Sequence, residues 1–197
     1  MDQTLTLVLG LAAGIAIAAA AGLRAFLPLL AIGLAGRFGL IHLHAGADWL
    51  ASTTALVCFG TATVVEIAGD KIPVVDHALD AIGTFLRPVA AALAAYGVLV
   101  HWPAPWAQII ALALGAGAFA VHAAKAKARI GSTAVSLGAA NPVLSVVEDG
   151  VSILIVVAAL VAPLVVLALL VLLAWALVRF FRARPRTPAP QPSNGGR

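Results

Sequence analysis

Apolar runs close to the length of a bilayer crossing recur along the whole chain, separated by short polar stretches. The runs lie at 5–22, 49–67, 77–100, 107–123 and 141–178. A helix needs roughly 20 mostly apolar residues to cross the ~30 Å hydrocarbon core. No segment shows the ~10-residue alternation of a membrane barrel strand. The pattern therefore predicts an all-α, polytopic transmembrane helical bundle. The run 141–178 is too long for one crossing, which places a turn or strong kink at Pro163. The run 5–22 has no basic residue before it and exceeds a usual signal-peptide core, so it is expected to be retained as a helix.

The segment 22–39 leaves two readings open. Arg24 and Arg37 bracket 12 apolar residues interrupted by Pro28 and Gly33. Such a segment forms either a re-entrant half-helix, with its backbone satisfied by protein or water, or a full span over 25–43 with Arg37 snorkelling to the surface. The first gives six spans and a cytoplasmic N-terminus; the second gives seven and an outside N-terminus. Basic residues near Lys71, at Lys125, Lys127 and Arg129, and in the tail place the C-terminus in the cytoplasm. Residues 1–182 form the transmembrane domain, and the Pro-rich tail 183–197 is expected to be disordered.

The polar residues concentrate in 66–88, E-I-A-G-D-K-I-P-V-V-D-H-A-L-D-A-I-G-T-F-L-R-P. Gly69 and Pro73 break the helix that carries Glu66 and Asp70. Asp76 is suited to cap the next helix. Asp76, Asp80, Thr84 and Arg87 then share one helical stripe. Pro88 should kink or open that helix. A second stripe, Asn141, Ser145, Glu148 and Ser152, with Asp149 beside it, starts the helix after a small-residue linker at 131–140. There Asn141 is the expected cap, with Pro142 in the first turn. Ionisable groups among so many apolar residues need a partner, water or a substrate.

Composition sharpens the class. The chain has 197 residues, 62% hydrophobic and 10% charged, against about 25% charged in a soluble domain. The net charge of +4 comes from residues flanking the apolar runs, so it reports membrane orientation and excludes nucleic acid as a partner. The lone Cys58 is expected to be a buried, inert thiol. The loop 41–48 carries His42, His44 and Asp48, read as an interfacial loop with solvated histidines; a metal site there would need a further ligand.

The motif set G-L-R-A-F-L-P at Gly22, E-I-A-G-D-K-I-P-x-x-D at Glu66, D-A-I-x-T-F-L-R-P at Asp80 and N-P-x-x-S-x-x-E-D at Asn141 resembles the domain of unknown function 4126 family, small bacterial and plastid-related membrane proteins. The resemblance covers nearly the whole chain to about Arg182. It implies an integral membrane protein of the bacterial inner (plasma) membrane and marks the motif residues as functional, without supplying an activity. A looser likeness links Glu66–Ile72 to the E-x-G-D-K-T motif of cation/proton exchangers, with one extra residue, Ile in place of Thr, and no second copy.

The expected function is a small transporter or channel with a carboxylate-lined site for a cation or proton. Its pathway residues are Glu66, Asp70, Asp76, Asp80, Thr84, Arg87, Asn141, Ser145, Glu148 and Asp149; Arg24 and Lys71 are available to contact an anion. The alternatives are a structural or assembly membrane protein, and a lipid- or anion-handling one. H-E-x-x-H, G-x-S-x-G and a Cys nucleophile in a polar setting are all missing, so no enzyme is expected. No cofactor motif is visible. The expected partners are the lipid bilayer and a small cation or proton; Gly/Ala-rich faces also admit a homo-oligomer.

Overall fold

A computed structural model describes residues 2–136 and 139–182, without the side chains at 73, 74, 76, 77 and 180–182. The expected tail disorder therefore concerns residues outside this description. The chain forms α1 (Gln3–Leu23), α2 (Phe26–Arg37), a short 3-10 turn (Ala45–Ala51), α3 (Thr53–Gly69), α4 (Pro73–Val98), α5 (Trp106–Ser136), α6 (Asn141–Val161) and α7 (Pro163–Arg182). Among the described residues there is no strand. Four helices are long and apolar enough to cross a membrane: α1, the Ala78–Val98 part of α4, α5 and α6. The 3-10 turn and α3, bent by 65°, together make a fifth candidate.

Helix α1 is the centre of the bundle. Its second half is a run of small residues, and Ala12, Ala16, Ala20, Ala21 and Gly22 are all buried. Small side chains let neighbouring backbones approach closely, and α4, α5, α6 and α7 all pack against α1. At one end of the bundle, Trp102 Nε1 donates to the Leu7 carbonyl at 3.1 Å, and the His44 amide donates to Gly97 O at 3.0 Å. The opposite end collects the end of α1, the end of α3, the second half of α5 and the start of α6. The outward side chains are apolar, among them Phe85, Ile109, Leu154 and Leu172. That is the surface a bilayer-embedded bundle presents.

Helix breaks fall where Pro and Gly were expected to put them. Helix α3 ends at Gly69 and α4 opens on Pro73; α6 and α7 part at Ala162–Pro163. Several boundaries differ. Pro73 takes the first turn of α4 with Ile72 as cap, so position 76 lies inside the helix and Asp76 does not cap it. Helix α6 is capped by Ala140, with Asn141 already helical. Pro88 sits inside an unbroken α4. The linker expected at 131–140 is helical as far as Ser136, because α5 continues for 31 residues. Helix α2 has 12 residues, about 18 Å at 1.5 Å per residue, and the chain leaves helical geometry after Arg37. A continuous helical span over 25–43 is therefore corrected to a short helix. Cys58 is exposed on α3, so the expectation of a buried thiol is also corrected.

Helices α4 and α5 cross at Gly115. A Cβ there would lie 2.5 Å from the Pro88 carbonyl oxygen and 2.8 Å from Ala92 Cβ. Gly115→Val should therefore destabilise the bundle by about 1–3 kcal/mol, the usual cost of overpacking. Thermal unfolding in detergent checks this; an unchanged melting temperature would mean the crossing is looser than described.

Candidate functional site

Polar residues from four helices and from the α1–α2 break meet in one network, most of it buried. Arg24 lies in the break between α1 and α2 and has no exposed surface. Its guanidinium pairs with Asp70 Oδ2, and its Nε lies 2.6 Å from Asp149 Oδ1. Its Nη2 donates to the Ser145 hydroxyl at 2.9 Å and to the Ser145 carbonyl at 3.1 Å. Asp70 follows the end of α3; Ser145 and Asp149 come from the start of α6. One arginine thus ties three helix ends together.

Helix α5 supplies two further cations. Lys125 Nζ lies 3.1 Å from Glu148 Oε2 and 3.8 Å from Asp70 Oδ2, and it donates to the Leu23 carbonyl at the end of α1 at 3.2 Å. Arg129 Nη2 donates to Asp70 Oδ2 at 2.9 Å and to Glu148 Oε2 at 3.0 Å. Both residues are buried. In this half, Arg24, Lys125 and Arg129 face Asp70, Glu148 and Asp149, so three fixed positive charges meet three carboxylates. Desolvated charges need such compensation to remain ionised.

The second half surrounds Arg87, 1% exposed. Its Nη1 donates to Asp80 Oδ1 at 3.3 Å and touches His122 Nδ1. A guanidinium has no acceptor, so His122 Nδ1 must accept and the ring is neutral there. The other ring nitrogen, Nε2, then carries the proton and faces Thr84 Oγ1 at 3.4 Å. Thr84 in turn donates to the Asp80 carbonyl at 3.0 Å. Glu66 joins this half to α2. Its two oxygens accept from the Ala25 and Phe26 amides at 3.0 and 3.3 Å, and Arg87 Nη2 stands 3.7 Å away. Helix α2 has no side-chain cap of its own, so a carboxylate from α3 occupies its N-terminus, where unpaired amides and the helix dipole favour negative charge.

Beside Glu66 a cavity of about 440 Å³ opens between the N-terminus of α2, α3 and α4. Its walls are almost wholly apolar, and Glu66 is its one carboxylate.

The network contains Glu66, Asp70, Asp80, Thr84, Arg87, Ser145, Glu148, Asp149 and Arg24, all expected from the sequence. Two expected members lie elsewhere. Asn141 donates to Thr133 Oγ1 at 3.0 Å on the exposed rim. Lys71 is exposed, with Nζ donating to the Ile67 carbonyl at 3.1 Å. The side chain of Asp76 lies outside the described residues. His122, Lys125 and Arg129 are additions. Ala111, Gly115, Ala118, His122, Lys125 and Arg129 share the buried face of α5, whereas Lys127 is exposed. In the 41–48 loop, His44 Nδ1 accepts from the Gly46 amide at 3.3 Å, and its ring packs on Tyr96. Among the described residues no group of three His, Cys, Asp or Glu side chains is placed to hold a metal ion.

The family described as "Domain of unknown function (DUF4126)" matches residues 11–183. The chain belongs to that family. The matched span contains every residue of the network. No curated protein matches the chain, and no solved structure does.

Removing Asp70 leaves Arg24 and Arg129 without their shared carboxylate. Asp70→Ala should cost about 3–5 kcal/mol, the usual result of breaking a buried pair from one side. Lys71→Ala, one residue away, should fall within about 0.5 kcal/mol of wild type, as exposed substitutions do. Paired thermal melts in detergent test the contrast; equal effects would overturn the network as described.

Proposed function

We propose that this DUF4126 protein is a multi-pass membrane protein that moves a proton or small cation across the bilayer through the carboxylate site of Glu66, Asp70, Asp80, Glu148 and Asp149. The observation that carries this reading is a charge deficit. Among the described side chains, these five carboxylates contact four fixed cations, Arg24, Arg87, Lys125 and Arg129, while His122 is neutral against Arg87. The excess carboxylate falls on Glu66 and Asp80, which share Arg87, and a proton or cation bound beside them relieves it. Asp70 Oδ1 adds support: it is buried and accepts no hydrogen bond among the described residues. A balanced set of pairs would have served for helix locking alone.

The second reading, a structural lock without transport, is favoured by a different observation. Every one of the five carboxylates already has at least one cation within 4.0 Å. Flux separates the two. In sealed liposomes with an internal pH dye and a panel of external cations, wild type should show cation-driven proton movement. Asp80→Asn and Glu148→Gln should reduce it to the level of empty liposomes. Absence of flux from folded wild type with every cation tested would remove the transport reading and leave the lock.

The proposed orientation places the network end and the C-terminus in the cytoplasm of a bacterial cell. The exposed Lys71, Lys127 and Arg179 support it, as basic residues accumulate on the cytoplasmic side. A green fluorescent protein fused after Arg197 should fluoresce in intact bacteria; inserted but dark fusion protein would reverse the orientation.

A further inference from the structure

We infer that the groove between α3 and α4 is a binding site for an organic cation with an apolar body, entering from the bilayer and set against Glu66. This rests on the reading of Glu66 as part of a cation site and goes beyond it by adding a second ligand class at that carboxylate. The groove opens on the apolar outer face of the bundle, between the exposed side chains Cys58 and Val65 on α3 and Ile82 and Leu86 on α4. Its volume of about 440 Å³ lies within the ~300–1,000 Å³ of small-molecule pockets. A molecule reaching it laterally comes from the hydrocarbon phase, so it must carry an apolar surface. At the inner end of the groove it meets a buried carboxylate rather than further hydrocarbon.

The sign of the charge follows from the groups around Glu66. From α4, Asp80 is negative and Arg87 positive. From α5, His122 is neutral. From α2, the Ala25 and Phe26 amides each donate one hydrogen bond to the carboxylate. Lys125, one turn further along α5, adds a positive charge behind this group, but Glu66 is the charged residue that lines the groove, so the groove itself presents one negative charge. Arg87 does not cancel it from within the groove. Its guanidinium folds over Gly83, where a Cβ would lie 3.1 Å from Arg87 Cζ, and it reaches Glu66 only at 3.7 Å, beyond hydrogen-bond length. A carboxylate offers about four acceptor directions, and two are used by α2. An apolar cation can approach the rest from the groove side without displacing a fixed partner.

A pair of ions with one shape and opposite charge tests this. Full-length protein in lipid nanodiscs is titrated calorimetrically with tetraphenylphosphonium and with tetraphenylborate. Tetraphenylphosphonium should bind at one site, and tetraphenylborate more than about a hundredfold more weakly, since a like-charge contact costs several kcal/mol. Ala62→Phe, which fills the groove and leaves the carboxylate charge in place, should weaken phosphonium binding by at least about tenfold, or 1.4 kcal/mol. Glu66→Gln should do the same if α2 stays folded; the groove-filling variant decides the matter if it does not. Equal binding of both ions, no phosphonium binding to folded wild type, or binding unchanged in Ala62→Phe each overturns the site. Inorganic cation flux persisting without phosphonium binding removes this inference alone. Binding without flux keeps the site and removes the transport reading.

Discussion

Arg24 sits at the point where α1 stops and α2 begins, with no surface exposed, and a guanidinium so placed has to be neutralised by what surrounds it. That requirement organises this end of the bundle. Asp70 must arrive from the end of α3, and Ser145 and Asp149 from the start of α6. Once Asp70 and Glu148 are there, two more cations from α5 are needed to balance them. A buried ionic network of this kind is poor evidence for stability, because well-packed apolar residues of similar volume are often as stable or more so. Removing any one member is nonetheless expensive, because its partners stay charged and dry. The network is therefore rigid against single changes without being the cheapest way to hold five helices together.

The Glu66 carboxylate shows how the same constraint reaches α2. A short helix starting inside the bundle exposes unpaired amides to an apolar interior, and those groups must find acceptors. Two are met by Glu66, a residue of another helix about forty positions away in sequence. Broken helices near charged residues recur in membrane transporters because a helix end supplies polarity without a side chain. Here the anion at that helix end is part of the protein. The start of α2, the end of α3 and Arg87 on α4 are thereby electrostatically coupled, and the apolar groove lies against that junction.

Much of this was legible in the sequence because Pro and Gly punctuate it strongly. The breaks at Gly69, Pro73 and Pro163, and the stripes Asp80–Thr84–Arg87 and Ser145–Glu148–Ser152, stand out from apolar surroundings. The α5 contribution did not. Lys125, Lys127 and Arg129 follow an apolar run and read as flanking charges that report orientation. They differ only in which helical face they take, and the buried face of α5 is mostly Ala and Gly, as is much of its exposed face. With so little contrast between faces, periodicity alone does not say which basic residues turn inward. Lys71 and Asn141 lie outside the buried network for the complementary reason: each is next to network residues in sequence but at a helix end, where a rotation of one position separates a rim side chain from a core one.

The cations of the network are also not equivalent, and the difference bears on how it could exchange charge. Arg24 and Arg129 each bridge groups from different helices through a planar, permanently charged fork, which fixes geometry and resists displacement. Lys125 reaches Glu148, Asp70 and the Leu23 carbonyl through a single rotatable ammonium on a flexible stem. An ammonium is a point charge whose hydrogen bonds can be redistributed without moving a helix, whereas moving Arg24 means moving the α1–α2 junction. The arginines therefore set the positions of the carboxylates. Among the described cations of the network, Lys125 is the one whose contacts can be redistributed without moving a helix end.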